Sequence, residues 1–113
     1  MIGFDLQEVE RIKNPEMLLE KIALQSEKDY IAKFKCDFQM RVASLWAAKE
    51  AVFKALDICE GDISFKEIEV CHKQNGAPFI KLYGKAKELL KDKQIKISIS
   101  HQKSVVAAVA IIF

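Results

Sequence analysis

Ile2, Phe4 and Leu6 alternate with Gly3 and Asp5, so the chain opens on a pattern of period two that predicts a short strand. Its apolar side is expected to face the core, with Asp5 projecting from the other side. Asn14-Pro15-Glu16 is a helix start, with Asn as N-cap, Pro at the first helical position and an acid in the first turn, and it predicts a helix over 17–24. Ser26-Glu27-Lys28-Asp29 has the form of a capping box with Asp in the acidic place, and predicts a second helical stretch towards Phe34.

Residues 37–56 contain neither Gly nor Pro, and at about 100° per residue Phe38, Val42, Leu45, Trp46, Val52, Phe53 and Leu56 form one apolar stripe. This is the expected core helix. Lys49 falls inside that stripe, where a lysine must snorkel to water, find a partner or line a site; snorkelling is the simplest of the three. Turn chemistry in Asp57-Ile58-Cys59-Glu60-Gly61 ends the helix, and Ile63-Ser64-Phe65 begins an alternating strand whose phase changes before Ile68. Residues 67–70 and 79–83 flank Gln74-Asn75-Gly76 as a hairpin with room for a bulge, and Pro78 marks a strand edge. Residues 84–93 predict a charged helix anchored by Ala86, Leu89 and Leu90. Ile95, Ile97 and Ile99 alternate with Lys96, Ser98 and Ser100, and a turn at 101–104 with His101 at its corner leads into the apolar closing strand 105–113. The order predicts an α+β fold, with one long core helix packed on a largely antiparallel sheet.

Composition narrows the function classes. The 113 residues fit one domain, 1–113, and with 50% hydrophobic and 30% charged residues a disordered chain is excluded. A formal charge of +2 falls short of the basic stripe of a dedicated nucleic-acid binder, and no interleaved basic and aromatic strand motif suggests RNA. Cys36, Cys59 and Cys71 form no CxxC pair, which points to free thiols in a reducing cytoplasm rather than to a disulfide framework or a cysteine zinc site. The first residues show no leader pattern and no 18-residue apolar run occurs, so no membrane association is expected. A domain this small is thin for enclosing a coenzyme-sized ligand, so such a site would lie on the surface or be completed by a second subunit.

Glu50 and Lys54 are four apart on the predicted helix and share a face with Ala43 and Ala47, whose small side chains leave room above them. Taken alone they are an ordinary helix ion pair, and Asp5 and His101 taken alone are as readily structural. Together the four are what a magnesium and phosphate site needs: Mg²⁺ takes one or two carboxylates plus substrate phosphates, while lysine and histidine stabilise phosphate charge. No P-loop or GxGxxG offers a competing phosphate cradle.

Three blocks carry a family resemblance: Ile2-Gly3-Phe4-Asp5-Leu6 followed by Glu8 and Glu10-Arg11-Ile12; Ala47-Ala48-Lys49-Glu50-Ala51 with Lys54-Ala55-Leu56; and Ser98-Ile99-Ser100-His101 before the closing strand. Residues 63–70 and Asn75-Gly76-Ala77-Pro78 add to it. The chain resembles the holo-acyl carrier protein synthases, small 4'-phosphopantetheinyl transferases, along essentially its whole length. The resemblance implies transfer of the 4'-phosphopantetheine arm of coenzyme A to a serine of apo-acyl carrier protein, releasing adenosine 3',5'-bisphosphate, in cytoplasmic fatty-acid biosynthesis. It implies Mg²⁺ on Asp5 and Glu50, with Glu50 also serving as base, and Lys54 neutralising phosphate. It implies coenzyme A contacts from Lys54 and His101, with Ser100 and the turn Asn75, Gly76 and Pro78 shaping the nucleotide pocket. Arg11 would dock the acidic carrier protein, with Lys13 and Lys21 near it, and the assembly would be a homotrimer with sites at subunit boundaries.

The chain departs from the family pattern at three places. Ser44-Leu45-Trp46 stands where Gly-Arg-Phe is usual, Asp57-Ile58-Cys59-Glu60-Gly61 replaces a glycine-rich turn, and Ala77 replaces a lysine. The missing arginine's role would then pass to Arg41 or Lys49. The alternative reading is a catalytically impaired carrier-protein or nucleotide-binding module of the same fold.

Overall fold

The long helix forms as its pattern requires: α3 spans Phe38–Ala55 in the computed structural model, which describes residues 1–59 and 61–113. Strand β1 (Ile2–Glu8) comes first, then α1 (Pro15–Ile22), α2 (Gln25–Ala32), α3, β2 (Ile68–His72), β3 (Pro78–Leu82), α4 (Gly84–Leu90), β4 (Ile95–Gln102) and β5 (Val105–Ile112). The strands make two antiparallel sheets, one ordered β1-β5-β4 and one pairing β2 with β3. Helix α3 lies on the larger sheet and places Ala47, Ala48, Ala51 and Ala55, all essentially inaccessible, in the core. Their small size allows close approach. A methyl group built on Gly3 of β1 would lie 1.9 Å from the Ala51 carbonyl oxygen and 2.5 Å from the Ala55 nitrogen, so only glycine fits there.

The sidedness of β1 differs from expectation. Gly3 and Asp5 face α3, while Ile2, Phe4 and Leu6 are 67%, 55% and 57% exposed on the outer face. Period two identifies two faces of a strand but not which of them is covered. The outer face continues on β5, where Ile111 pairs with Ile2, Val109 with Phe4 and Ala107 with Leu6.

Four other local expectations are corrected. Ser26 is not a helix cap: the N-cap is Leu24, two residues earlier, with Glu27 at the third helical position accepting the Leu24 amide at 2.8 Å. Ile63-Ser64-Phe65 is not a strand, because the Ser64 hydroxyl accepts the Lys66 amide and Glu67 accepts the Ser64 amide, capping a 3₁₀ turn over Phe65–Glu67. That turn is the phase change seen in the sequence. His101 sits inside β4 opposite Val106, and the hairpin turn is made by Lys103, at φ 57°, and Ser104. Helix α4 stops at Leu90, ahead of Lys91 at φ 58°. Of the predicted turn after α3, Asp57 takes a left-handed φ of 58°, and Glu60 lies outside the described residues.

Lys49 does not snorkel. It is 0% exposed, and its ammonium donates to Glu27 Oε1 at 2.8 Å, the Ile22 carbonyl at 2.6 Å and the Phe65 carbonyl at 3.0 Å. All three protons are placed. The Glu27 carboxylate, 3% exposed, also accepts the Leu24 and Val70 amides. Burial pulls the Lys49 ammonium below the ordinary lysine range, and the Glu27 charge opposes that pull.

Removing one member of this pair strands the other's charge in the interior, at a cost of roughly 3–5 kcal/mol. Lys49→Met is therefore expected to lose stability on that scale in urea unfolding. The double variant Lys49→Met/Glu27→Gln should recover part of the loss, and additive losses would show that the two residues are not coupled.

Candidate functional site

Asp5 is carried by β1 into the seam with α3, where it is 7% exposed. Lys54, in the last turn of α3, donates to Asp5 Oδ1 at 3.0 Å and to the Phe4 carbonyl at 2.9 Å. Asp5 Oδ2 accepts from Gln7 Nε2 at 2.7 Å. Both carboxylate oxygens are thus held in place by donors. Glu50 lies one helical turn before Lys54, half-buried and on the same side of α3. Lys54 is half exposed, so its pair with Asp5 contributes little to stability. Asp5 and Glu50 provide hard anionic oxygens, the donor type that suits Mg²⁺.

A second cluster lies at the other edge of the same sheet. A cavity of about 250 Å³ is lined by residues of α2, α3, β2, the β2–β3 turn, the start of β3 and β4, among them Tyr30, Arg41, His72, Gly76, Pro78 and His101. Its volume is below the roughly 300–1,000 Å³ usual for a whole drug-sized ligand, so it suits one end of a larger molecule. The Asn75 side chain accepts the Ala77 amide at 3.0 Å and so shapes the turn that presents Gly76 and Pro78. His72 stacks on Tyr30 at 3.8 Å, and burial, then the nearby Arg41 charge, hold its imidazole below the usual histidine range.

The expected site residues therefore fall into two groups within one chain. Asp5 and Lys54 pair at the β1 edge, with Glu50 one helical turn before Lys54, whereas His101 of β4 lines a cavity with Gly76 and Pro78 at the opposite edge. Strands β1 and β4 are separated by β5, two strand spacings or about 10 Å. Ser100 lies on the opposite face of β4 from His101, across from Ala107. Arg11, after β1, is exposed and pairs loosely with Glu8 at 3.6 Å. Lys49 is committed to Glu27, which leaves Arg41 as the cation that lines the pocket from α3. Sequence reasoning did not single out Tyr30, His72 or Gln7. Tyr30 and His72 are 42 residues apart and share no periodic pattern, while Gln7 continues the alternation of Gly3 and Asp5 and was legible from it.

The model of the 4'-phosphopantetheinyl transferase superfamily matches residues 1–110. A holo-[acyl-carrier-protein] synthase of Caldicellulosiruptor saccharolyticus is 44% identical over 97% of this chain and 93% of its own, and one of Treponema denticola is 36% identical over 98% and 95%. Among solved structures, the Helicobacter pylori holo-[acyl-carrier-protein] synthase in complex with coenzyme A superposes with a TM-score of 0.85 at 29% identity, covering all of both chains. A Bacillus anthracis holo-(acyl-carrier-protein) synthase in complex with CoA (3',5'-ADP) gives 0.85 at 30% identity, over 98% of this chain and 93% of that one. The seam of β1 and α3 that joins Asp5 to Lys54 is thus set in a fold shared from end to end with these enzymes, and the chain belongs to the 4'-phosphopantetheinyl transferase superfamily.

Proposed function

We propose that this protein is a holo-acyl carrier protein synthase, which moves the 4'-phosphopantetheine arm of coenzyme A onto a serine of apo-acyl carrier protein for fatty-acid biosynthesis. The observation that carries this reading is the Asp5–Lys54 pair, buried on the carboxylate side and open on the lysine side, with Glu50 one turn away. Asp5 and Glu50 would hold Mg²⁺, which supplies positive charge against the coenzyme A pyrophosphate. Glu50 takes the proton of the serine hydroxyl. The serine oxygen then bonds to the phosphorus that carries the pantetheine arm, and the bond from that phosphorus to the bridging oxygen breaks. Lys54 neutralises charge on the departing adenosine 3',5'-bisphosphate. His101, with the turn at Asn75, Gly76 and Pro78, supports the nucleotide end, and Ser100 beside it in β4 helps shape that edge of the sheet.

The assembly we propose is a homotrimer of this one-domain chain. Ile2, Phe4 and Leu6 with Val109 and Ile111 make a continuous apolar outer face on β1 and β5, the kind of exposed patch that marks an interaction site. A neighbour covering that face lets residues at the β1 edge of one copy and the β4 edge of another serve one ligand. No helix among the described residues is long and apolar enough to cross a membrane. Arg11, exposed in the turn after β1, meets the acidic carrier.

Incubated with coenzyme A, Mg²⁺ and a cognate apo-carrier, the protein is expected to raise the carrier's mass by one phosphopantetheine. An unchanged mass would refute the transferase reading and leave the non-catalytic module. Glu50→Gln should retain the thermal midpoint and lower the transfer rate at least about 100-fold, as removal of a general base does. Replacing Phe4 by Glu places a charge in the apolar outer face and should shift the mass in solution, by light scattering, from three times 12.9 kDa towards one. A wild type that is already monomeric would overturn the trimer. Arg11→Ala should raise the KM for the carrier several-fold while the KM for coenzyme A stays put.

A further inference from the structure

An aspartate carboxylate turns easily about its last torsion, whose preference is broad and roughly two-fold. A metal ligand is better held still. At Asp5 two side chains do the holding: Lys54 Nζ donates to Oδ1 at 3.0 Å and Gln7 Nε2 donates to Oδ2 at 2.7 Å. The β5 residues opposite Asp5 and Gln7 are Ala108 and Val106, both buried, and their side chains have nothing to donate.

The two donors differ in kind. Lys54 brings a full positive charge on a flexible stem, and its side chain is half exposed. It also faces the phosphates in the reading above, so its hold on Asp5 is shared. Gln7 is half-buried and lies two residues along β1, which puts its side chain on the same face of the strand as Asp5. Its amide is neutral. It occupies one acceptor position of Oδ2 and leaves the carboxylate its whole negative charge, whereas a second ammonium there would weaken the attraction for a divalent cation.

We infer that Gln7 is a positioning residue for metal binding: its amide fixes the rotation of the Asp5 carboxylate, so that Asp5 meets Mg²⁺ already oriented. This rests on the assignment of Asp5 and Glu50 to Mg²⁺ above. Gln7 acts through Asp5, with no part in the proton transfer. Hydrogen-bond partners of metal ligands commonly change metal affinity by about 10–100-fold when they are removed.

The test compares wild type with Gln7→Met, which keeps the length and removes the donor, and with Gln7→Val, a better strand former that serves if Met shifts the thermal midpoint. Mn²⁺, another cation suited to oxygen ligands, is titrated into each protein with coenzyme A present, the free ion being followed by electron paramagnetic resonance against coenzyme A alone. The variants are expected to bind Mn²⁺ about 10-fold more weakly. Their affinity for coenzyme A in a metal chelator should stay within about twofold of wild type. In the transfer assay the Mg²⁺ concentration for half the maximal rate should rise by about the same 10-fold, while kcat at saturating Mg²⁺ is kept. Unchanged or tighter Mn²⁺ binding refutes the inference and leaves the metal assignment standing. So does an equal weakening of metal-free coenzyme A binding, which would place Gln7 on the substrate. A loss of kcat that no Mg²⁺ concentration restores would put Gln7 in the reaction itself and overturn the positioning role. A wild type that binds no Mn²⁺ beyond that held by coenzyme A overturns the metal assignment and the inference with it.

Discussion

A lysine and a glutamate with no access to water hold this molecule in register. The Lys49 ammonium ties α3 to the end of α1, the start of α2 and the 3₁₀ turn before β2, while Glu27 extends the same knot to β2 itself. A charge in such a place is tolerated because each of its three protons meets an oxygen, and it then does what an apolar contact cannot, because hydrogen bonds have direction. The rotation of α3 about its axis is set by them. Glu50 follows Lys49 in the chain, so a helix locked with Lys49 inward necessarily presents Glu50 about 100° round the cylinder, at the seam with β1. The functional face of the helix is thus aimed by the residue beside it.

The second constraint is thinness. Alanines on α3 and Gly3 on β1 allow helix and sheet to meet closely, and the central strand β5 adds Ala108 and Ala110 to the same layer. Little volume remains for an internal cavity near Asp5. The pocket lined by Arg41 and His101 lies at the β4 edge, between α3, α2 and the smaller sheet. One chain therefore holds Asp5 and its pocket at opposite edges of a three-stranded sheet, whose outer face, turned away from α3, is apolar on β1 and β5.

Much of this was legible in the residues. The absence of Gly and Pro in 37–56, the alternation of Ile95, Ile97 and Ile99 and the turn chemistry at Asn75-Gly76 located the long helix and both hairpins, because local sequence decides these. Lys49 was visible as an anomaly of helical angle, but its partner lies 22 residues away and nothing local names it. The covered side of β1 was not legible, since Ile2, Phe4 and Leu6 form an apolar face whether a helix or another copy lies on it. The pairing of Asp5 with Lys54 spans 49 residues and was approached only through the family motif. Arg41 was noted as a spare cation, yet its neighbours Tyr30 and His72 carry no pattern at all.

Gly3 illustrates how a residue without chemistry becomes inseparable from chemistry. Its missing side chain lets β1 approach the helix backbone, and two residues later the same strand delivers Asp5 to Lys54. Any side chain at that position lifts the strand, and the carboxylate moves with it. In a survey of tolerated substitutions position 3 would therefore be as invariant as the acid it serves, and ranking residues by intolerance would place a spacer among the reactants. The distance between two backbones is here as much a part of the site as any functional group in it.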